Sequence, residues 1–266
     1  MVLGCLNLLC ELWLKTWTEV SEVCKSSKSV FLIPVGSTEQ HGPHLPLGLD
    51  YMIAEHVALE ACKSLERDGT RTLVFPPVTY GLSSMWSAYS GTVSVSSESL
   101  YKYLKDVITS ASRNCPKTLV VVVNGHAGNN DLLRVLCRDV AEETGLVVSL
   151  VSVWDLCGDV IKEVFATPFT HADEVETSLA MALNLLVGEP PKDSPGFFRR
   201  YDDFWHSLDL TKRPKAYVFR GESRETHGRG SFGRPELASR EKGEALLNCM
   251  ISRLVSLAKE ILENRI

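Results

Sequence analysis

Along the chain, short apolar runs alternate with stretches in which apolar residues recur every three or four positions. Val30 to Val35 and Thr118 to Val123 are apolar runs; the second, T-L-V-V-V-V, predicts a strand covered on both faces. Thr72 to Phe75 and Leu146 to Val153 predict two more strands, and Ala216 to Phe219 a short fifth. Ala54, Val57, Ala58, Ala61 and Leu65 share one face of a helix, and so do Leu100, Leu104, Val107, Ile108 and Ala111 between about Glu98 and Ser112. Further helices are predicted with Leu132, Leu133, Leu136 and Val140 inward, over Ala172 to Leu186, and over about Ala238 to Glu263. Thr18 to Val23 predicts a short one, capped by Thr16 or Thr18. Val187 to Pro214, rich in Pro, Gly and charge, reads as a long loop or a substrate-side excursion. Strand and helix in alternation predict an α/β fold with a mostly parallel sheet, one domain over residues 1–266.

The composition, 44% hydrophobic and 23% charged, supplies a sizeable core. A net charge of −5 argues against nucleic acid or a basic membrane face as partner, and leaves a small-molecule substrate. The apolar N-terminus, M-V-L-G-C-L-N-L-L-C-E-L-W-L, lacks a basic start and a cleavage site, and Glu11 interrupts it short of the roughly 20 residues of a membrane span. It reads as a packed or interface-forming segment of a cytoplasmic protein. The eight cysteines form no C-x-x-C pair; most are expected as buried thiols in a reducing cytosol, and disulfides are the alternative if the source is a hyperthermophile.

The chemistry concentrates in P-V-G-S-T-E-Q-H-G-P-H-L-P-L-G-L-D, Pro34 to Asp50, where Glu39, His41, His44 and Asp50 share a loop with three Gly and three Pro. Singly, these are ordinary caps and polar loop residues; together they suit a metal-binding turn in which the Asp50 carboxylate bridges two cations. Glu39 and His41 follow the first strand, and His126 of N-G-H-A-G-N follows the strongest one, so both lie at the carboxyl ends of strands, where α/β folds bind ligands. Asn124 and Asn129 are expected to shape that turn. A third cluster, T-H-A-D-E-V-E-T-S over Thr170 to Ser178, opens a helix; helical geometry puts Glu174 on the face of His171, and both Glu174 and Glu176 remain candidates.

S-T-E-Q-H-G-P-H-L-P-L-x-x-D, N-G-H-x-G-N and H-A-x-E-x-E-T-S, in that order over roughly Trp17 to Leu183, resemble the creatininase family of metal-dependent amidohydrolases, and E-K-G-E near the end is also family-like. The resemblance implies a three-layer α/β/α fold and two divalent ions, zinc, manganese or iron(II), with Glu39 and His126 on one, His41 on the other and Asp50 between them. Creatininase proper carries a Tyr and a metal-binding Glu where Ala127 and Gly128 stand here, so Glu176 is taken as the replacement ligand and as a catalytic group, and His171 as the proton-shuttling histidine. It implies a homo-oligomer too, a hexamer in creatininases. The expected activity is hydrolysis of a C–N bond in a small cyclic amide or formamide by metal-activated water. The alternatives are creatininase proper, a deformylase of a pyrimidine nucleotide intermediate, a family-type peptidase, and a non-catalytic metal-binding protein. Ala127 and Gly128 are expected to widen the pocket against creatinine. Trp86 and Tyr89 are candidates to line it, and Arg229 or Arg234 to meet an anionic substrate group.

Overall fold

The computed structural model describes residues 10–192, 209–212, 215–216 and 228–264. Four strands, β1 (Ser29–Val35), β2 (Arg71–Val74), β3 (Leu119–Asn124) and β4 (Val148–Ser152), form a parallel sheet in the order β2-β1-β3-β4. Every residue of β1 and β3 is buried, as their unbroken apolar runs require. Residues 217–219 of the expected fifth strand lie outside the described residues.

Alternation along each strand sends side chains to opposite faces of the sheet. Val30 and Leu32 of β1, with Leu119, Val121 and Val123 of β3, pack under α2 (Leu49–Arg67), α7 (Glu174–Ala182) and α8 (Arg240–Glu263). Phe31, Ile33 and Val35, with Val120 and Val122, pack under α3 (Ser97–Ser112) and α4 (Asn130–Thr144), and Val20 and Val23 of α1 (Trp17–Lys25) join that side. Two short helices, α5 (Val153–Leu156) and α6 (Gly158–Val164), follow β4. Helices thus cover both faces, the expected three-layer α/β/α arrangement.

Thr16 is the cap of α1: its side chain accepts from Glu19 N while Glu19 returns a bond to Thr16 N, a capping box. The helix expected over Ala172 to Leu186 is shorter at both ends. Ala172 has φ 46° and Asp173 caps the start, accepting from Val175 N and Glu176 N; Asn184, with φ 58°, lies beyond the end. Leu186 is therefore exposed outside the helix.

For six of the cysteines the disulfide alternative holds in place of buried thiols. Cys10 pairs with Cys62, Cys24 with Cys115 and Cys157 with Cys249, leaving Cys137 free and buried among the described residues. The pairs are 52, 91 and 92 residues apart in sequence, so no short-range spacing signals them. Cys10 precedes a bridge between Glu11 and Val74 that lengthens the sheet edge beside β2. No described helix is long and apolar enough to cross a membrane.

Candidate metal centre

Three glycines let the carboxyl ends of β1 and β3 converge on the first turn of α2. A Cβ on Gly36 would stand 2.3 Å from Tyr51 N, and one on Gly125 would stand 2.2 Å from the Asp50 carbonyl oxygen. Gly42 turns the loop with φ 65°. Asn124 accepts from His126 N and donates to the His126 carbonyl, while Asn129 donates to the Gly36 carbonyl and accepts from Leu82 N. The two asparagines therefore shape the turn as expected and tie it to the β1 loop.

Asp50 lies between two imidazoles. Its Oδ1 is 3.1 Å from His41 Nε2 and its Oδ2 is 3.0 Å from His126 Nδ1, and Ser37 donates to Oδ2 at 2.8 Å. Glu39 Oε2 is 3.4 Å from His126 Nε2; Glu176 Oε2 is 4.0 Å from both His41 Nε2 and His171 Nδ1. All six residues cluster, five of them buried and His171 nearly so. Glu39, Asp50 and His126 form one group with ligand atoms close enough for a cation, and His41, Asp50 and Glu176 another, with Asp50 common to both; Glu39, His41 and His171 form a third.

The donor set fits divalent cations. Each of the three histidines places one ring nitrogen on a backbone carbonyl and turns the other to the carboxylates: His41 on Glu39 O at 3.0 Å, His126 on Leu82 O at 3.0 Å, and His171 on Gln40 O at 2.8 Å. That is how proteins orient an imidazole toward a metal. Glu39 Oε2 is buried with no hydrogen-bond partner, an orphaned acceptor that a cation would satisfy.

Electrostatics point the same way. Burial raises Glu39, and it raises Glu176 to about 8 with Asp50 and Asp173 adding repulsion, against the pull of His41. Burial also opposes charge on the imidazoles, yet the Asp50 carboxylate outweighs it and lifts His41 to about 10, and Glu39 and Asp50 lift His126 to about 9. Asp50 is held low: burial would raise it, but the two histidines prevail. His171 lies well below its usual value through burial and the nearby His41. The two buried glutamates are thus pushed toward their neutral forms and two of the imidazoles toward their charged ones, a balance of charge that cations would otherwise supply.

The start of α7 places the two glutamates differently. His171 sits before the helix, so helical spacing does not govern it. Glu176 turns into the cluster, and its carboxylate also accepts from Ala172 N. Glu174 turns away, accepting from Ala166 N, Thr167 N and Thr167 Oγ1 and pairing with Lys242 of the E-K-G-E motif at 2.5 Å.

Trp86 is buried and stacks on His171, centroids 4.2 Å apart and planes 15° apart; Tyr89 meets Trp86 edge-on and donates to Gly228 O. The two arginines are not brought into the cluster: Arg229 is exposed, and Arg234, also exposed, pairs with Glu236 at 2.9 Å. The widening expected at Gly128 is absent. A Cβ there would stand 2.4 Å from His126 Nε2 and 2.8 Å from the Leu82 carbonyl oxygen, so the histidine ring and the 82 carbonyl fill that space. His44 is structural, its Nε2 bonded to Thr177 Oγ1.

Sequence reasoning passed over Gln40 and Phe232. Gln40 stands between two candidate ligands, a signal that was available; Phe232, 5.9 Å from Trp86 across 146 positions, gave none.

A parallel sheet with a carboxylate–imidazole cluster at its carboxyl ends frames a candidate metal site in an α/β protein, and this chain belongs to the creatininase family. The family model, described as creatinine amidohydrolase, matches residues 14–258. The creatinine amidohydrolase of Pseudomonas putida is 29% identical over 273 residues, covering 92% of this chain and 94% of its own. The mycofactocin precursor peptide peptidase of Mycobacterium ulcerans is 34% identical over 171 residues, 63% of each chain, so the match spans under two thirds of that relative's length. A deformylase of 2-amino-5-formylamino-6-ribosylaminopyrimidin-4(3H)-one 5'-monophosphate from Methanobrevibacter ruminantium is 33% identical over 156 residues, 58% of this chain and 59% of its own. A crystal structure of creatininase superimposes with a TM-score of 0.79 at 24% identity, covering 96% and 99% of the two chains, which shows the fold.

Proposed function

We propose that this chain is a divalent-metal-dependent amidohydrolase that cleaves the C–N bond of a small non-peptide amide or formamide. The observation that carries the reading is Asp50, one carboxylate facing His41 with one oxygen and His126 with the other. Glu39, Asp50 and His126 would hold one ion, and His41, Asp50 and Glu176 the second. When bound, such ions supply Lewis-acid polarisation of the scissile carbonyl and an acidified water. Ligation by nitrogen and oxygen without cysteine suits zinc, manganese or iron(II); creatininase is known in zinc–zinc and manganese forms.

The chain's own groups do the rest. His171 keeps Nδ1 toward Glu39 and Glu176, 3.8 and 4.0 Å away, and carries the proton that the leaving nitrogen requires. Trp86, buried and stacked on the imidazole, shields it from water. A second reading, a peptidase, is favoured by the 34% identity to the mycofactocin precursor peptide peptidase.

The test is a panel on metal-replete protein: creatinine, a formylated aminopyrimidine nucleotide and a short peptide, with creatine, formate and free amino acids measured. Formate or creatine release supports the amidohydrolase, and His171→Ala should lower that turnover by roughly 10²–10⁴-fold while keeping its metal. Amino-acid release alone would establish the peptidase instead.

Exposed Trp13, Leu14 and Trp17 support a homo-oligomer, which light scattering would reveal and a strictly monomeric profile would refute. With three disulfides, a cytoplasmic setting requires a cell whose intracellular proteins keep them, as in hyperthermophiles; cell fractionation tests it.

A further inference from the structure

Among the three site histidines, His171 alone has a donor as well as a carbonyl at its anchored nitrogen; the second group at His126 Nε2, Glu39 Oε2 at 3.4 Å, only accepts. Gln40 offers both: its backbone carbonyl lies 2.8 Å from His171 Nε2 and its side-chain nitrogen 2.9 Å from the same atom. The orientation of the amide follows from its other end. Gly42 N–H can only donate, and it meets Gln40 Oε1 at 2.9 Å, so the NH₂ group faces the imidazole.

The seat for that amide is made by the loop around Gly230. A Cβ on Gly230 would stand 1.8 Å from Gln40 Oε1, and its φ of 76° itself favours glycine. The next residues hold the other partner: Ser231 Oγ donates to the Ala172 carbonyl at 2.7 Å and Phe232 N donates to the His171 carbonyl at 3.0 Å. One short segment therefore fixes both sides of the Gln40–His171 contact, from some 60 residues beyond one and 190 beyond the other.

We propose that Gln40 is a positioning residue that anchors the His171 ring in either neutral tautomer, with Gly230 as its required seat. When Nε2 carries the hydrogen, it donates to the Gln40 carbonyl; when Nδ1 carries it, Nε2 accepts from the Gln40 amide. His41 and His126 rest on one carbonyl each and are held in a single tautomer, as suits a ligand. His171 keeps its place on either side of a proton transfer, as suits a proton carrier. The proposal rests on the role assigned to His171 above.

Gln40→Met keeps the backbone carbonyl and comparable bulk but removes the amide. In zinc-loaded, ¹⁵N-histidine-labelled protein, the wild-type His171 ring nitrogens should show shifts averaged between tautomers. The variant should move to the Nε2–H form, with Nε2 pyrrole-like and Nδ1 pyridine-like. Zinc content and melting temperature should hold. On the panel substrate that wild type hydrolyses, kcat should fall about tenfold with KM within twofold, a modest case of the roughly 10²-fold cost of an ångström of misplacement.

Gly230→Ala should move the ring shifts in wild type and add nothing in a Gln40→Ala background, where no amide remains to be displaced. Unchanged His171 shifts in Gln40→Met would overturn the proposal, as would additive effects of the two substitutions. If no panel substrate is hydrolysed, the amidohydrolase reading fails while the ring-nitrogen spectra still decide the role of Gln40.

Discussion

Two glutamates two positions apart do different work. Glu176 contributes a carboxylate to the site, whereas Glu174, wholly buried, closes an ion pair with Lys242 and receives three further hydrogen bonds from residues 166 and 167. Asp50→Ala should therefore lose most bound metal by elemental analysis, and Glu176→Ala should deplete one of two ions. Glu174→Ala should keep its metal and lose about 3 kcal/mol of stability in denaturant unfolding, the low end for a broken buried pair because Lys242 remains partly exposed to water. Full metal in Glu176→Ala with depletion in Glu174→Ala would reverse the assignment.

The α7–α8 contact sets where the site's last two residues stand. Gly243 is the point of closest approach: a Cβ there would lie 2.0 Å from the Ser178 carbonyl oxygen, backbone that cannot yield as a side-chain tip can. Ser178 Oγ donates to the Glu174 carbonyl and accepts from Ser239 N, so the same turn of α7 also receives the cap of α8. Gly243→Ala should destabilise by about 2 kcal/mol through overpacking, although alanine is the better helix former. A thermal melt equal to or above wild type would show that the helices separate without cost. The helices themselves were legible from periodicity, since Leu247, Leu254 and Ala258 are buried as their spacing requires, but nothing in E-K-G-E announces which helix its glycine touches.

Three disulfides fasten outlying elements to the sandwich: the segment before α1 to α2, α1 to the turn before β3, and the α5–α6 junction to α8. Closing loops of these lengths stabilises by about 4 to 5 kcal/mol each on chain-entropy grounds, and less in sum because two of the loops overlap. Alkylation without reduction should leave those six cysteines unmodified. Reduction should lower the melting temperature by on the order of 10–20 °C. Six alkylated thiols in native, unreduced protein would show that the pairs do not form.

The layers and the candidate donors were legible in the chain before folding. Continuous apolar runs have only one environment, between two helical layers, and E-Q-H-G-P-H, N-G-H-A-G-N and H-A-D-E-V-E supply their donors within a few residues of strand or helix ends, where backbone geometry restricts their position. What lies across long separations emerges only on folding: which cysteines meet, that Glu176 rather than Glu174 faces His41, that the Leu82 carbonyl closes the space beside Gly128, and that Gly230 seats Gln40. Periodicity reports which face of an element is buried, because burial is a property of each residue with its near neighbours. It carries no record of the partner, because packing against an element a hundred residues away depends on how the whole sheet brings its ends together.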